Sequence, residues 1–437
     1  MPQPGPAAEP ARLSRRLGVG DAVVIGLGSM IGAGVFAAIG PAAAAAGSAL
    51  LVGLAIAAVV AYANATSSAQ LAAAYPEAGG TYVYGRARLG PFWGYLAGWG
   101  FVVGKTASLA AMALTVGAYL APSLARLVAI ASVVAMTAVN LRGITRTAAL
   151  TRVIVAVVLV VLIVVVVSAL LGGTADVDNV LPLDPPGIGG ILESAGLLFF
   201  AFAGYARIAT LGEEVIDPER TIPRAIPLAL GITLAVYAVV AVGALLAVGP
   251  EALAAAAAPL VAATAAGPEW VSGVVRVGGG VAALGVLLSL LAGVSRTIFA
   301  MARNRELPAA LAAVHPRFGV PHLAELSVGA VVCVVVAAAD LRGAIGFSSF
   351  AVLTYYAIAN AAAWTQPADQ RRWPRWLQAV GLTGCTVLAF TLPVGSVVGG
   401  VIVLAGGAAA WWGRRMWQRG RGTTDHAVDR RNDRRTD

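Results

Sequence analysis

The sequence predicts an all-α membrane protein with twelve transmembrane helices, arranged as two five-helix repeats of opposite orientation plus two extra helices. Of the 437 residues, 59% are hydrophobic and only 12% are charged, whereas a soluble globular protein carries about 25% charged residues. The apolar segments are long enough to cross a bilayer, which takes about 20 residues. Glycines interrupt both the first and the sixth of these segments, and this correspondence predicts the repeat.

The spans divide the chain into two blocks of five and a final pair. Their predicted limits are 20–46, 49–73, 92–120, 124–141, 151–171, 190–212, 225–248, 277–302, 323–339, 343–363, 377–394 and 396–413. The predicted units are an N-terminal tail at 1–19, a first repeat at 20–171, a second, inverted repeat at 190–363, helices 11 and 12 at 377–413, and a disordered tail at 414–437.

The placement of the arginines predicts the orientation, because loops on the cytoplasmic side carry an excess of Lys and Arg. With the N-terminus inside, 24 of the 30 Lys and Arg residues fall in cytoplasmic loops and tails, and three fall in outer loops. We therefore expect a multi-pass protein of the plasma membrane with both termini in the cytoplasm. The net charge of +9 lies in loops and tails, so it does not indicate nucleic-acid binding. The two cysteines and three histidines lack metal-ligand spacing, and we expect neither metal nor cofactor.

The first span has a cluster of glycines at its centre, at positions 26, 28, 32 and 34. Glycine is the weakest helix former after proline. A bilayer tolerates non-helical backbone only where protein covers it or where it lines a water-filled cavity. We therefore expect a helix that is broken at mid-membrane and whose freed backbone groups bind a solute. The alternative is a straight helix that uses Gly28 and Gly32 as a GxxxG packing face.

The sixth span carries a matching interruption at Gly204, and Tyr205 and Arg207 follow at once. An arginine that faces lipid is costly, so we expect Arg207 to face the protein interior or water. The alternative is that Arg207 lies nearer the inner membrane interface and that its long side chain snorkels to the water there. The first and sixth spans each open a block of five, so the second block enters from the opposite side of the membrane. This pattern is typical of an inverted-repeat transporter with its solute site between the halves.

Four stretches resemble motifs of the amino acid–polyamine–organocation superfamily. They are Gly26–Pro41, Tyr75–Tyr84, Phe199–Arg224 and Ser295–Pro308. The resemblance implies the leucine-transporter fold, with discontinuous helices 1 and 6, and amino acid permease activity. Cationic amino acid transporters of this superfamily often have a lysine in helix five and an acidic residue just after the helix-six aromatic. Here the fifth span has no lysine, and Ala206, followed by Arg207, stands where the acidic residue would be. We therefore discount arginine and lysine as substrates.

Lys105 is the only lysine in the sequence and lies near the middle of the third span. Burial disfavours the charged form of a lysine. Lys105 could therefore load and release a proton during transport, or stand in for a bound sodium ion when it is charged. The alternative is a structural lysine that is bonded to backbone carbonyls of a broken helix.

An amino acid ligand fits the backbone chemistry of the two interruptions. Its carboxylate suits amide groups at the start of a half-helix, where the helix dipole is positive. Its ammonium suits freed carbonyls at Phe202, Ala203 and Tyr205. The predicted binding residues are Ser29, Met30, Ile31, Gly32, Ala33, Gly34, Phe202, Ala203, Gly204, Tyr205 and Arg207. A charge network at the inner end of the sixth span could form an inner gate, with Glu213, Glu214, Arg220 and Arg224 as its members.

These patterns predict a proton-linked amino acid permease that works by alternating access, with an amino acid, protons and the lipid bilayer as its partners. Two alternatives stay open. An amino acid or polyamine exchanger would need solute on the opposite side, and a transporter-like sensor would bind ligand without net flux. A membrane enzyme is not expected, because the sequence has no intramembrane His/Asp/Glu constellation and no nucleophile elbow.

Overall fold

The computed structural model describes residues 17–77, 79–143, 148–181, 187–212 and 214–433, and in these ranges the chain is built from α-helices with short 3₁₀ turns. The only β-type pairing in them is an isolated bridge between Leu17 and Val215. The helices are α1 Val19–Met30, α2 Ala33–Ala46, α3 Leu50–Ala74, α4 Thr81–Leu89, α5 Pro91–Leu120, α6 Ala125–Leu141, α7 Ala148–Leu171, α8 Ile188–Phe202, α9 Ala206–Ala209, α10 Pro218–Ala255, α11 Pro259–Ala262, α12 Glu269–Arg303, α13 His322–Ala338, α14 Leu341–Trp364, α15 Arg375–Phe390 and α16 Val394–Asp433.

Nine helical stretches in the described ranges are long and apolar enough to cross a membrane, and α1 and α13 are shorter apolar helices. The protein is therefore a multi-pass membrane protein, as its composition predicts. The count of twelve spans and the inverted repeat stay predictions.

Several helix limits differ from the predicted spans. The helix at the predicted seventh span is longer, since α10 starts at Pro218 and continues through a non-helical residue, Gly249, to Ala255. Between α10 and α12 the chain forms the short helix α11, and α12 begins at Glu269, ahead of the predicted start of the eighth span at residue 277. The last helix, α16, extends to Asp433 and so covers most of the tail at 414–437. The predicted disorder of this tail stays a prediction.

Helix α5 lies at the centre of the molecule. In its most apolar stretch 83% of the residues are buried, against 22% in the corresponding stretch of α16. Helices α4, α6, α12 and α14 pack around α5. Small residues on α5, such as Gly98 and Gly104, allow this close approach: a Cβ at Gly104 would lie 2.9 Å from the Cβ of Ala351 on α14. Lys105 therefore sits in the most enclosed part of the fold.

Backbone pairing ties the start of α1 to the segment after α9. The amide of Leu17 donates to the carbonyl of Glu214 at 3.1 Å, and the amide of Ile216 donates to the carbonyl of Leu17 at 2.9 Å. The start of α1 also forms an ion pair with α7, between Asp21 and Arg152. The N-terminal end of the first interrupted span is thereby bonded to the chain that follows the second interrupted span.

Candidate functional site

The first span is interrupted as its glycines predict. Helix α1 ends at Met30 and α2 begins at Ala33, so Ile31 and Gly32 lie between them outside either helix. Gly32 has φ −75° and ψ −122°, which breaks the helical ladder. A Cβ at Gly32 would overlap with the side chain of Val286 on α12. The glycine thus permits both the break and the close approach of α12.

The second interruption is milder than we expected. Helix α8 ends at Phe202, a 3₁₀ turn covers Ala203–Tyr205, and α9 follows and ends at Ala209. Ala203 has φ −63° and ψ −1°, so the backbone tightens into i to i+3 hydrogen bonds and does not unwind fully. The expectation of an unwound segment with several free carbonyls is therefore corrected to a short 3₁₀ turn.

The two interruptions are in direct contact. A Cβ at Gly204 would overlap with the carbonyl of Ser29 and would lie 2.8 Å from the backbone nitrogen of Met30. On the other side of the break, a Cβ at Gly34 would lie 2.7 Å from the Cα of Ala201. Only glycine allows two backbones to approach this closely. The structure thus brings together the glycine cluster of the first span and Gly204 of the sixth, which the sequence places about 170 residues apart.

A tyrosine from α10 bridges the two interruptions, and sequence reasoning missed it. The hydroxyl of Tyr237 donates to the carbonyl of Met30 at 2.5 Å and lies 3.1 Å from the carbonyl of Ala201. Tyr237 is 3% exposed, and its ring packs against Phe202. A polar aromatic in the middle of the apolar seventh span is the signal that could have identified it.

Lys105 reaches the second interruption. Its Nζ donates to the carbonyl of Ala203 at 3.3 Å, and the hydroxyl of Tyr356 on α14 donates to the same carbonyl at 3.2 Å. Lys105 is 8% exposed, and it forms no ion pair with any carboxylate in the described ranges. The structural alternative for Lys105, bonding to a carbonyl of a broken helix, is thus the arrangement observed. The carbonyl of Ala203, which we assigned to a ligand ammonium, accepts from both of these donors here, and its assignment to the ligand stays a prediction.

The two polar side chains after Gly204 point to different surroundings. Tyr205 is fully buried, its ring stacks on Tyr356 with centroids 5.0 Å apart, and its hydroxyl has no partner in the described part of the chain. Arg207 is exposed and donates to the hydroxyl of Thr210 at 3.2 Å. Tyr205 therefore belongs to the enclosed region around Lys105, whereas Arg207, on α9, is exposed.

The gate predicted at the inner end of the sixth span stays a prediction. Glu213 lies outside the described residues. Glu214, Arg220 and Arg224 form no ion pair within the described ranges, and both arginines are exposed. The ion pairs in those ranges are Arg86–Glu306, Arg152–Asp21 and Arg342–Glu193.

Two cavities lie near these elements. One, of about 490 Å³, lies between the end of α5, the segment around α11 and the start of α12. The other is an apolar void of about 10 Å³ beside Gly34, Ala201 and Tyr237, too small for any amino acid. The interruptions are thus tightly closed around this void.

Within the described residues, no group of three or more His, Cys, Asp or Glu side chains could hold a metal ion.

Comparison with known proteins gives one consistent family. The profile of a family described as amino acid permease matches residues 17–412. An uncharacterized transporter of Mycobacterium tuberculosis is 64% identical over 97% of this chain and 96% of its own length. The branched-chain amino acid permease of Bacillus subtilis is 26% identical over 71% of this chain and 72% of its own length. A chloroplastic cationic amino acid transporter of Arabidopsis thaliana is 31% identical over 48% of this chain and 36% of its own length.

The four motifs that resemble the amino acid–polyamine–organocation superfamily all lie within the matched residues, so that resemblance is confirmed. The matched family consists of membrane transporters and not of enzymes. With its apolar helices and the contact between its two helix interruptions, this chain belongs to the amino acid permease family.

Proposed function

We propose that this protein is a secondary active transporter that moves amino acids across the cytoplasmic membrane by alternating access, with coupling to protons. The observation that carries the proposal is the contact between the two interruptions, with a buried lysine bonded to the carbonyl of Ala203. Twelve transmembrane helices, a 5+5 inverted repeat and cytoplasmic termini complete the proposal. The apolar segments support the number of helices, the matching glycine interruptions support the repeat, and the arginine distribution supports the orientation.

The amino acid binds at the interruptions. Its carboxylate meets the backbone amides at the start of α2, where Ala33 and Gly34 lie in the first turn and the helix dipole is positive. Its ammonium meets carbonyls of the second interruption, at Phe202, Ala203 and Tyr205. Because the void beside the interruptions is far smaller than an amino acid, binding requires the half-helices to move apart.

Lys105 is the coupling residue. In its charged form it makes a charge-assisted hydrogen bond to Ala203 and thereby holds the 3₁₀ turn against α5. Without its proton Lys105 is a weaker hydrogen-bond donor, whereas the hydroxyl of Tyr356 still donates to the carbonyl of Ala203. An unpaired charge in an apolar interior is costly. If the 3₁₀ turn moves away and its bond to Lys105 is lost, the charged form of Lys105 is disfavoured, so proton release is linked to the position of this turn.

Uptake in proteoliposomes tests the proposal. Wild-type protein should accumulate radiolabelled amino acid when an inward proton gradient is imposed. The name of the Bacillus subtilis relative makes branched-chain amino acids the first to try. Lys105→Met should abolish gradient-driven accumulation. Thr115→Val is the matched control, because this buried hydroxyl on the same helix bonds only to the carbonyl of Ala111 in its own helix.

The possible outcomes separate the proposed function from its alternatives. Full gradient-driven uptake by Lys105→Met would show that Lys105 is not the coupling residue. Uptake that requires amino acid inside the vesicles would identify an exchanger. Saturable binding without flux in either direction would identify a sensor.

A further inference from the structure

Two sequence motifs far apart in the chain meet in one polar cluster. The hydroxyl of Tyr82 donates to Oε2 of Glu306 at 2.8 Å and accepts from Nδ2 of Asn304 at 2.6 Å. Arg86 forms an ion pair with Oε1 of Glu306 and donates to the Tyr82 hydroxyl at 3.1 Å. We call Tyr82, Arg86, Asn304 and Glu306 the clasp. It joins α4 to the end of α12.

The opposite side of α4 is joined to the end of α9. The hydroxyl of Tyr84 donates to the carbonyl of Ala209, the last residue of α9, at 3.2 Å. A Cβ at Gly212 would lie 2.7 Å from the carbonyl oxygen of Pro76, so the segment before α4 also packs directly on the chain that leaves α9. Gly80 also lies close to Thr210: a Cβ added at Gly80 would be 3.6 Å from Cγ2 of Thr210.

Helix α4 therefore connects two elements that border the proposed binding site. Helix α9 is the short half of the second interrupted span, and α12 contacts the first interruption through Val286 at Gly32. The ends of α9 and α12 can separate only if α4 detaches from one of them. On the side of α12 this attachment consists of the clasp, and on the side of α9 it includes tight backbone packing at Gly212.

We propose that α4 is the inner gate of the transporter and that the clasp is the contact that releases when the site opens to the cytoplasm. This inference rests on the proposed transport function and orientation. Glu306 keeps only 9% of its side-chain surface exposed, whereas Arg86 keeps 38%. Because removing the Glu306 carboxylate from water offsets part of its attraction to Arg86, the clasp is weak enough to open in each transport cycle.

Cysteine labelling from the cytoplasmic side tests the gate. Thr210→Cys is introduced into a background in which Cys333 and Cys385 are replaced by serine, and a membrane-impermeant maleimide is added to inside-out vesicles. Thr210 is half-buried and its Cγ2 lies 3.6 Å from the ideal Cβ position of Gly80, so detachment of α4 should expose position 210 further and increase its labelling rate. Glu306→Gln and Arg86→Gln should raise this rate about threefold to tenfold, the shift expected for the loss of one ion-paired hydrogen bond.

A charge swap and a matched control make the test decisive. The double variant Arg86→Glu/Glu306→Arg should return labelling to within about twofold of the parent, because it restores the pair in reverse. Arg303→Gln is the control, since Arg303 is exposed at the same end of α12 and stacks on Phe299, outside the clasp. Unchanged labelling in the single variants, or no restoration by the swap, would overturn the proposal.

The labelling assay does not depend on transport. Absence of amino acid uptake by the wild type would count against the proposed function, while the labelling result would still decide whether the clasp controls access to position 210. Tyr82→Phe adds a variant without any change of charge, and it should also raise labelling because both Asn304 and Glu306 lose their shared partner.

Discussion

Gly204→Ala is the sharpest perturbation of the site, because it adds one methyl group at the point where the two interruptions touch. The added Cβ would overlap with the carbonyl of Ser29 and lie 2.8 Å from the nitrogen of Met30, both of which are backbone atoms that no side-chain rotation can move. Overpacking of this kind costs about 1–3 kcal/mol. If the cost falls on the closed geometry, whose void cannot hold an amino acid, the closed state becomes less stable relative to the open state by a factor of about five to more than a hundred, and the melting temperature falls.

A thermal-shift measurement of the purified protein, followed by a binding isotherm for the transported amino acid, checks this prediction. Gly231→Ala is the matched control, because Gly231 lies in α10 and an added Cβ there meets no atom within 4 Å. The control should melt at or above the wild-type temperature, since alanine favours a helix by up to about 1 kcal/mol over glycine. Equal melting temperature and equal affinity for Gly204→Ala and Gly231→Ala would refute the contact between the interruptions as the basis of the site.

Two further predictions concern Tyr237 and the clasp. Tyr237→Phe should lower the melting temperature and raise KM, because it removes a buried hydroxyl that serves two carbonyls, at a cost of about 1–3 kcal/mol; an unchanged KM would mean that the bridge does not position the site. For the clasp, Tyr82→Phe should raise cytoplasmic labelling without any change of charge, because Asn304 and Glu306 lose their shared hydroxyl partner. Labelling equal to that of the parent would contradict this role of Tyr82.

The positions of the two helix interruptions could be predicted from the sequence, because the weak helix propensity of glycine is a local property of the chain. The cluster around Gly32 predicts a break, and the structure has it between Met30 and Ala33. The exact form of the second break was not accessible in this way. Gly204 is compatible with an unwound segment or with a 3₁₀ turn, and the structure has a 3₁₀ turn that packs against Ser29.

The partners of the polar side chains were less predictable, because they come from helices distant in sequence. A lone lysine in the third span indicates a special site, but nothing local identifies Ala203 and Tyr356 as the groups around it. The predicted gate stays a prediction. Its members are neighbours in sequence, whereas one of the observed ion pairs joins Arg86 and Glu306, which are 220 residues apart.

The sequence by itself determined that this is a multi-pass membrane protein with a glycine-weakened first helix, a single intramembrane lysine and the motifs of amino acid permeases. These properties follow from composition, hydropathy and local backbone preference, which act over a few turns of helix. Tertiary structure alone decided which carbonyl receives Lys105, that Tyr237 bridges the two interruptions, and that α4 connects the ends of α9 and α12. Those contacts depend on how the helices pack, and close packing is set by the shapes of many side chains at once.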